Sequence, residues 1–168
     1  HCHLDDKAFD KDRQKVINEA LRELSGLINC STDAESNNFS LELAKQHETI
    51  YAALGLHPTV IINMPASEIE SQIGKIEKFL ADKNVVAIGE VGLDFAWIKK
   101  RKNFEELKKK QEKYFLKFIE ISKEYEMPLI IHSRWAAEKV LSLLLEARAE
   151  KVMLHAFNTS LKTANLAI

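Results

Sequence analysis

Short apolar runs alternate along the chain with longer stretches in which apolar side chains recur at every third or fourth residue. The short runs, at 27–31, 50–54, 85–88, 128–131 and 152–154, are mostly aliphatic and predict β-strands. The longer stretches predict helices over 10–24, 37–47, 66–82, 103–125, 135–147 and 160–167. The stretch 103–125 is the clearest, with Phe104, Leu107, Gln111, Tyr114, Phe115, Phe118, Ile121 and Tyr125 on one face. Asn103 with Glu106, and Ser67 with Glu70, have the spacing of N-terminal capping pairs.

Strands that alternate with helices imply a parallel sheet joined by right-handed crossovers. Continuous apolar strands are expected where helices cover one face and side chains fill the other. No linker, repeat or composition break interrupts the pattern, so residues 1–168 read as a single domain. The chain starts on His1, at what would be a strand tip, and stops within a helical stretch. A closed eight-stranded α/β barrel takes typically about 250 residues. The expected fold class is therefore an α/β TIM (β/α)8 barrel, here incomplete, with the first strand clipped and the last βα units absent. An open doubly wound sheet of five or six strands is the rival that length alone favours.

Composition narrows the function classes. The 24 Lys+Arg balance 25 Asp+Glu for a formal charge of −1, so no overall basicity would recruit a polyanion. A local basic patch or a metal ion would have to do so. With 46% hydrophobic and 29% charged residues, and only 5 Gly and 3 Pro, the chain is neither disordered nor of low complexity. The longest apolar runs fall far short of the roughly 18 residues a membrane span needs, and no secretory signal opens the chain. Two cysteines, Cys2 and Cys30, form no disulfide framework, and a reducing, cytoplasmic location is expected.

Of six histidines, five (His1, His3, His57, His132 and His155) fall at or just past the end of a strand, and only His47 ends a helix. In a parallel α/β fold that edge gathers ligands and catalytic residues. One histidine there is ordinary; five are not. His1 and His3 lie on the same side of an extended chain and could grip one ion, while Cys2 points away as a packed thiol. Gly89-Glu-Val-Gly-Leu-Asp94 follows the third strand, and Glu90, between glycines, could bridge two ions or simply be solvated in a loop. Asp94 could orient a ligand or cap the next segment. His132 and His155, one βα unit apart, suit a single divalent ion. His57, in Gly55-Leu-His-Pro58, stands outside these sets and fits a substrate contact. The basic residues Lys99-Lys-Arg-Lys102 and Lys108-Lys-Lys110 make a solvated helix face or a cationic rim; no aromatic interleaving marks a stacking platform, though Phe95 and Trp97 lie close by.

In order, His1-Cys-His-Leu-Asp5, Gly55-Leu-His-Pro58, Ile88-Gly-Glu-Val-Gly-Leu-Asp94, Ile131-His-Ser-Arg134 and His155-Ala-Phe157 resemble the TatD family of metal-dependent deoxyribonucleases, within the amidohydrolase-like TIM barrels. The resemblance runs over nearly the whole chain. It implies two divalent ions (Mg, Mn or Zn) sharing Glu90, one held by His1 and His3, the other by His132 and His155. The family's further ligand, an Asp on the last strand, has no counterpart here, and Ala156 stands where many members have Cys. The implied activity is phosphodiester cleavage of DNA, expected to be exonucleolytic, by a water activated between two metals. The implied catalytic residues are Glu90, with His57 and Arg134 positioning the phosphate. DNA is then the substrate, no membrane is involved, and a monomer is the default. The alternatives are another amidohydrolase-type enzyme acting on a small amide, lactone or ester, and a non-catalytic metal-binding relic.

Overall fold

The computed structural model describes all 168 residues. Five strands, β1 (Leu27–Cys30), β2 (Ile50–Leu54), β3 (Val85–Gly92), β4 (Leu129–His132) and β5 (Val152–Leu154), form one parallel sheet in the order β1-β2-β3-β4-β5. Each strand pairs with the one before it in sequence. A doubly wound sheet reverses its order at a switch point; this one does not, and it curls as a half-barrel. Residues 1–3 run along the outer edge of β1, where Cys2 bridges Asn29.

Helices α1 (Arg13–Glu23), α2 (Ala34–Gln46), α3 (Pro58–Ile61), α4 (Ala66–Phe79), α5 (Phe95–Ile98), α6 (Phe104–Glu124), α7 (Ala137–Ala147) and α8 (Leu161–Asn165) connect and follow the strands. The main core lies between them and one face of the sheet. Leu54, Ile88, Leu129 and Ile131 of the strands meet Ile69 and Ile73 of α4, Phe115 and Phe118 of α6 and Val140 of α7. The opposite face holds a second, smaller cluster of Cys30, Ala53, Ala87 and Ile130. Side chains alternate along a strand, so His132, two residues beyond Ile130, shares that inner face.

Several boundaries differ from expectation for local reasons. Neither expected capping pair forms: Asn103 caps α6 without a side-chain hydrogen bond, and Ser67 is already inside α4, which starts after Pro65. Proline's fixed φ sets up that start without help from a side chain. The capping box is instead at Asp33 and Ser36, and it starts α2 at residue 34 rather than 37. β3 continues to Gly92, because Val91 and Gly92 pair with Ile131 and His132. Glu90 is thus in a strand, not a solvated loop. No helix is long and apolar enough to cross a membrane.

Candidate metal centre

Glu90 is almost fully buried, yet its two carboxylate oxygens face two separate groups of imidazoles. Oε2 lies 3.1 Å from His3 Nε2 and 3.3 Å from His1 Nε2, and those two nitrogens are 3.1 Å apart. Oε1 lies 2.7 Å from His132 Nδ1 and 3.7 Å from His57 Nε2. A close approach of strands places the carboxylate there. A Cβ on Gly55 would sit 2.7 Å from the carbonyl carbon of Gly89, so only glycine lets β3 cross there. The crossing brings the Glu90 N–H within 2.8 Å of the Ser31 carbonyl, just past β1, and so toward His1 and His3.

Hydrogen bonds fix which nitrogen of each ring can do what. His3 Nδ1–H donates to the Cys30 carbonyl at 2.7 Å, which leaves Nε2 with the lone pair in the neutral ring. His57 caps α3: its Nδ1 accepts from the Thr59 N–H at 3.3 Å and lies 2.6 Å from the Thr59 hydroxyl. Its neutral tautomer therefore carries the proton on Nε2, the nitrogen that points at the centre. Although His57, Glu90 and His132 are near enough to share an ion, that tautomer makes His57 a donor, not a ligand. His132 lies between two carboxylates, with Nε2 3.0 Å from Asp94 Oδ2. Asp94 also accepts from the Trp97 N–H and so caps α5.

His155 stands apart from the expected grouping. Its ring stacks on that of His1 at 3.8 Å between centroids, and it gathers with His1 and Glu90 rather than with His132. β4 ends on His132 itself, whereas β5 stops at Leu154 and the chain turns at Ala156, whose φ is +44°. Arg134 is exposed two residues beyond β4. Cys2 is a packed thiol directed at the Ile28 carbonyl and Asn29.

Ionisation follows from this crowding. Burial works to raise the pKa of Glu90, but hydrogen bonds from His132 and His3 and the nearby imidazoles outweigh it and hold the carboxyl well below its usual range. Burial opposes a charge on His132 as well; its bonds to Asp94 and Glu90 prevail and raise its pKa to about 9. His57, desolvated and beside His132, is pushed down to about 4. His3 is raised, chiefly by its bond to Glu90, and His155 is lowered by burial. An anionic carboxylate surrounded by imidazole nitrogens suits a divalent cation, which would replace the protons that otherwise hold the cluster together.

Three buried amides to which the sequence assigned no role at the site hold the loops of this centre. Asn29 accepts from the Leu4 N–H at 2.6 Å and donates to Ser40, which pins the His1–His3 segment to β1. Asn37 makes both hydrogen bonds to the Gly55 backbone, just before His57. Gln111, fully buried on the apolar face of α6, accepts from the Asp94 N–H at 2.9 Å. The signal was a polar residue in an apolar stripe.

A curled parallel βα sheet with a histidine–carboxylate cluster at its C-terminal edge defines the class, an α/β barrel with a metal-type centre. The family model described as TatD related DNase matches residues 1–168, and the chain belongs to that family. The uncharacterized metal-dependent hydrolase YabD of Bacillus subtilis is 34% identical over 167 residues, 98% of this chain and 62% of YabD. Deoxyribonuclease TATDN3 of Homo sapiens is 28% identical over 166 residues, 94% of this chain and 59% of that protein. The crystal structure of YjjV, a TatD homolog from Escherichia coli K12, superposes with a TM-score of 0.84 at 27% identity, covering 99% of this chain and 62% of YjjV. The chain thus spans about three fifths of the length of these relatives.

Proposed function

We propose that the protein is a metal-dependent deoxyribonuclease that hydrolyses phosphodiester bonds of DNA, with two divalent ions (Mg, Mn or Zn) sharing Glu90. The observation that carries the reading is the division of the Glu90 oxygens between two groups of imidazoles. His1 and His3, with His155 close beside them, would hold an ion on the Oε2 side, and His132 through Nδ1 on the Oε1 side. Bound there, the ions would supply Lewis acidity, acidify a water and offset phosphate charge. The chain's own groups do the rest. Asp94 keeps the His132 proton on Nε2, so that Nδ1 can bind metal. His57, neutral at neutral pH, directs an Nε2–H donor at the place where a phosphate oxygen would lie, and Arg134 offers a two-pronged donor at the same edge. The human relative's name, a deoxyribonuclease, supports DNA as substrate.

The test is degradation of 3′-labelled and 5′-labelled DNA by the intact protein with Mg²⁺ or Mn²⁺, beside the Glu90→Ala variant. Stepwise shortening from one end that needs the ion and vanishes in the variant is expected. Ion binding without cleavage of any DNA would overturn the reading in favour of another hydrolase substrate or a relic site.

A further inference from the structure

Trp135 is 66% exposed, the most exposed aromatic side chain in the molecule, and its φ is +57°. A bulky L-residue reaches the left-handed region only against a steric penalty, and such outliers gather at functional sites. The turn that holds it, residues 133–136, begins directly after His132. Lys99, at the end of α5, places its ammonium 3.9 Å from the centroid of the Trp135 ring. Sequence distance concealed this pair: 36 residues separate the basic run from its aromatic partner, and β3–β4 pairing brings them together.

Beside the ring lies an open cavity of about 390 Å³, lined by Phe95, Ser133, Trp135, Lys139, Asn158 and Thr159 among others. Phe95 adjoins Asp94, Ser133 adjoins His132, and Asn158 is three residues beyond His155. The cavity therefore opens among the segments that follow β3, β4 and β5. A ring with a cation over its plane and most of its surface free offers a flat apolar face next to positive charge, the combination that binds an unpaired nucleobase and its phosphate.

We propose that Trp135, backed by Lys99, is the stacking platform for an unpaired base next to the scissile phosphate, so that the protein acts on single-stranded DNA ends. The inference rests on the nuclease reading above and adds to it the form of the substrate. Bases inside a duplex are stacked on their neighbours and present no free face. Stacking would hold the strand equally before and during reaction, so its loss would show in KM rather than kcat.

The experiment compares the intact protein with Trp135→Ala and Trp135→Phe on a labelled single-stranded oligonucleotide, on the same strand with an abasic residue at the terminal positions, and on a blunt duplex. Trp135→Ala should raise KM roughly 5- to 150-fold on the normal strand. It should cost little on the abasic strand, and Trp135→Phe should recover most of the loss. In the Trp97→Phe background, where Trp135 is the remaining indole, fluorescence should be quenched by the normal strand and not by the abasic one. Equal loss on both strands, or quenching indifferent to the bases, would overturn the platform while leaving the nuclease reading intact. Failure of the unmodified protein to cut any DNA would overturn that reading and the platform with it.

Discussion

Asp94 stands behind His132, and the chemistry of that one contact can be isolated. In Asp94→Asn the amide oxygen can still accept from the Trp97 N–H and cap α5. Its NH2 then faces His132 Nε2 and demands an acceptor there, which moves the ring proton to Nδ1, where the ion should bind. Ion affinity should fall about 10- to 100-fold with the circular dichroism unchanged. Unaltered affinity by calorimetric titration would reduce Asp94 to a helix cap. At this scale the sequence located the residues that cluster more than the contacts they make. His1, His3, Glu90, His132 and His155 were visible because strand ends are recognisable from apolar runs. The tautomer of His57 depends on Thr59, and the position of His155 depends on a turn at Ala156; neither contact has a periodic signature.

The strand that carries Glu90 makes the same point about elements. At Gly92 φ is +135°, and a Cβ would stand 2.1 Å from the His132 carbonyl oxygen, with backbone and not a movable side chain in the way. Gly92→Ala should destabilise the fold by about 3 kcal/mol or more. In contrast, Gly74 lies inside α4 with nothing within 4 Å of its would-be Cβ. Gly74→Ala should stabilise by about 0.5–1 kcal/mol. Denaturant melts of the two variants give the measurement, and equal effects would refute the distinction. Five strands and the long helix α6 were legible because period and length identify them. The extension of β3 to Gly92 was not, since glycines and a glutamate look like a loop until a partner strand is present. The short helices α3 and α5 were hidden likewise: each starts on a site residue, His57 or Asp94, that serves as its cap.

Across the whole molecule, the buried charges tie stability to pH. His132 has its pKa raised to about 9 from an ordinary 6.5, so its contribution is complete below about pH 6.5 and is lost as pH rises through 9. Glu90 and Asp94 are depressed, and theirs is present above their ordinary values and lost as the solution becomes acidic. Chelator-treated protein should therefore melt at progressively lower temperature from pH 6.5 to 9. A divalent ion bound at the proposed centre would displace the His132 proton, so the stabilisation it gives should grow over the same interval. A melting temperature that is flat over that interval without metal would show that His132 is not held between its carboxylates. At this scale the alternation of strands and helices alone fits a barrel or an open sheet, and it was the ordered strand-end motifs that favoured the barrel. Strand order decides between them, and order is a property of pairing, not of any segment.

That order also has a consequence in time. Since every strand hydrogen-bonds to the one synthesised just before it, a chain leaving the ribosome can add each βα unit to a sheet already formed, without holding a strand in reserve for a partner not yet made. The imidazoles arrive in sequence, and His155 joins the stack on His1 only after all five strands have been made. Ion loading at the proposed centre would then be a late event in the life of the chain, with a scaffold of preset shape, not a loose peptide, choosing among cellular metals.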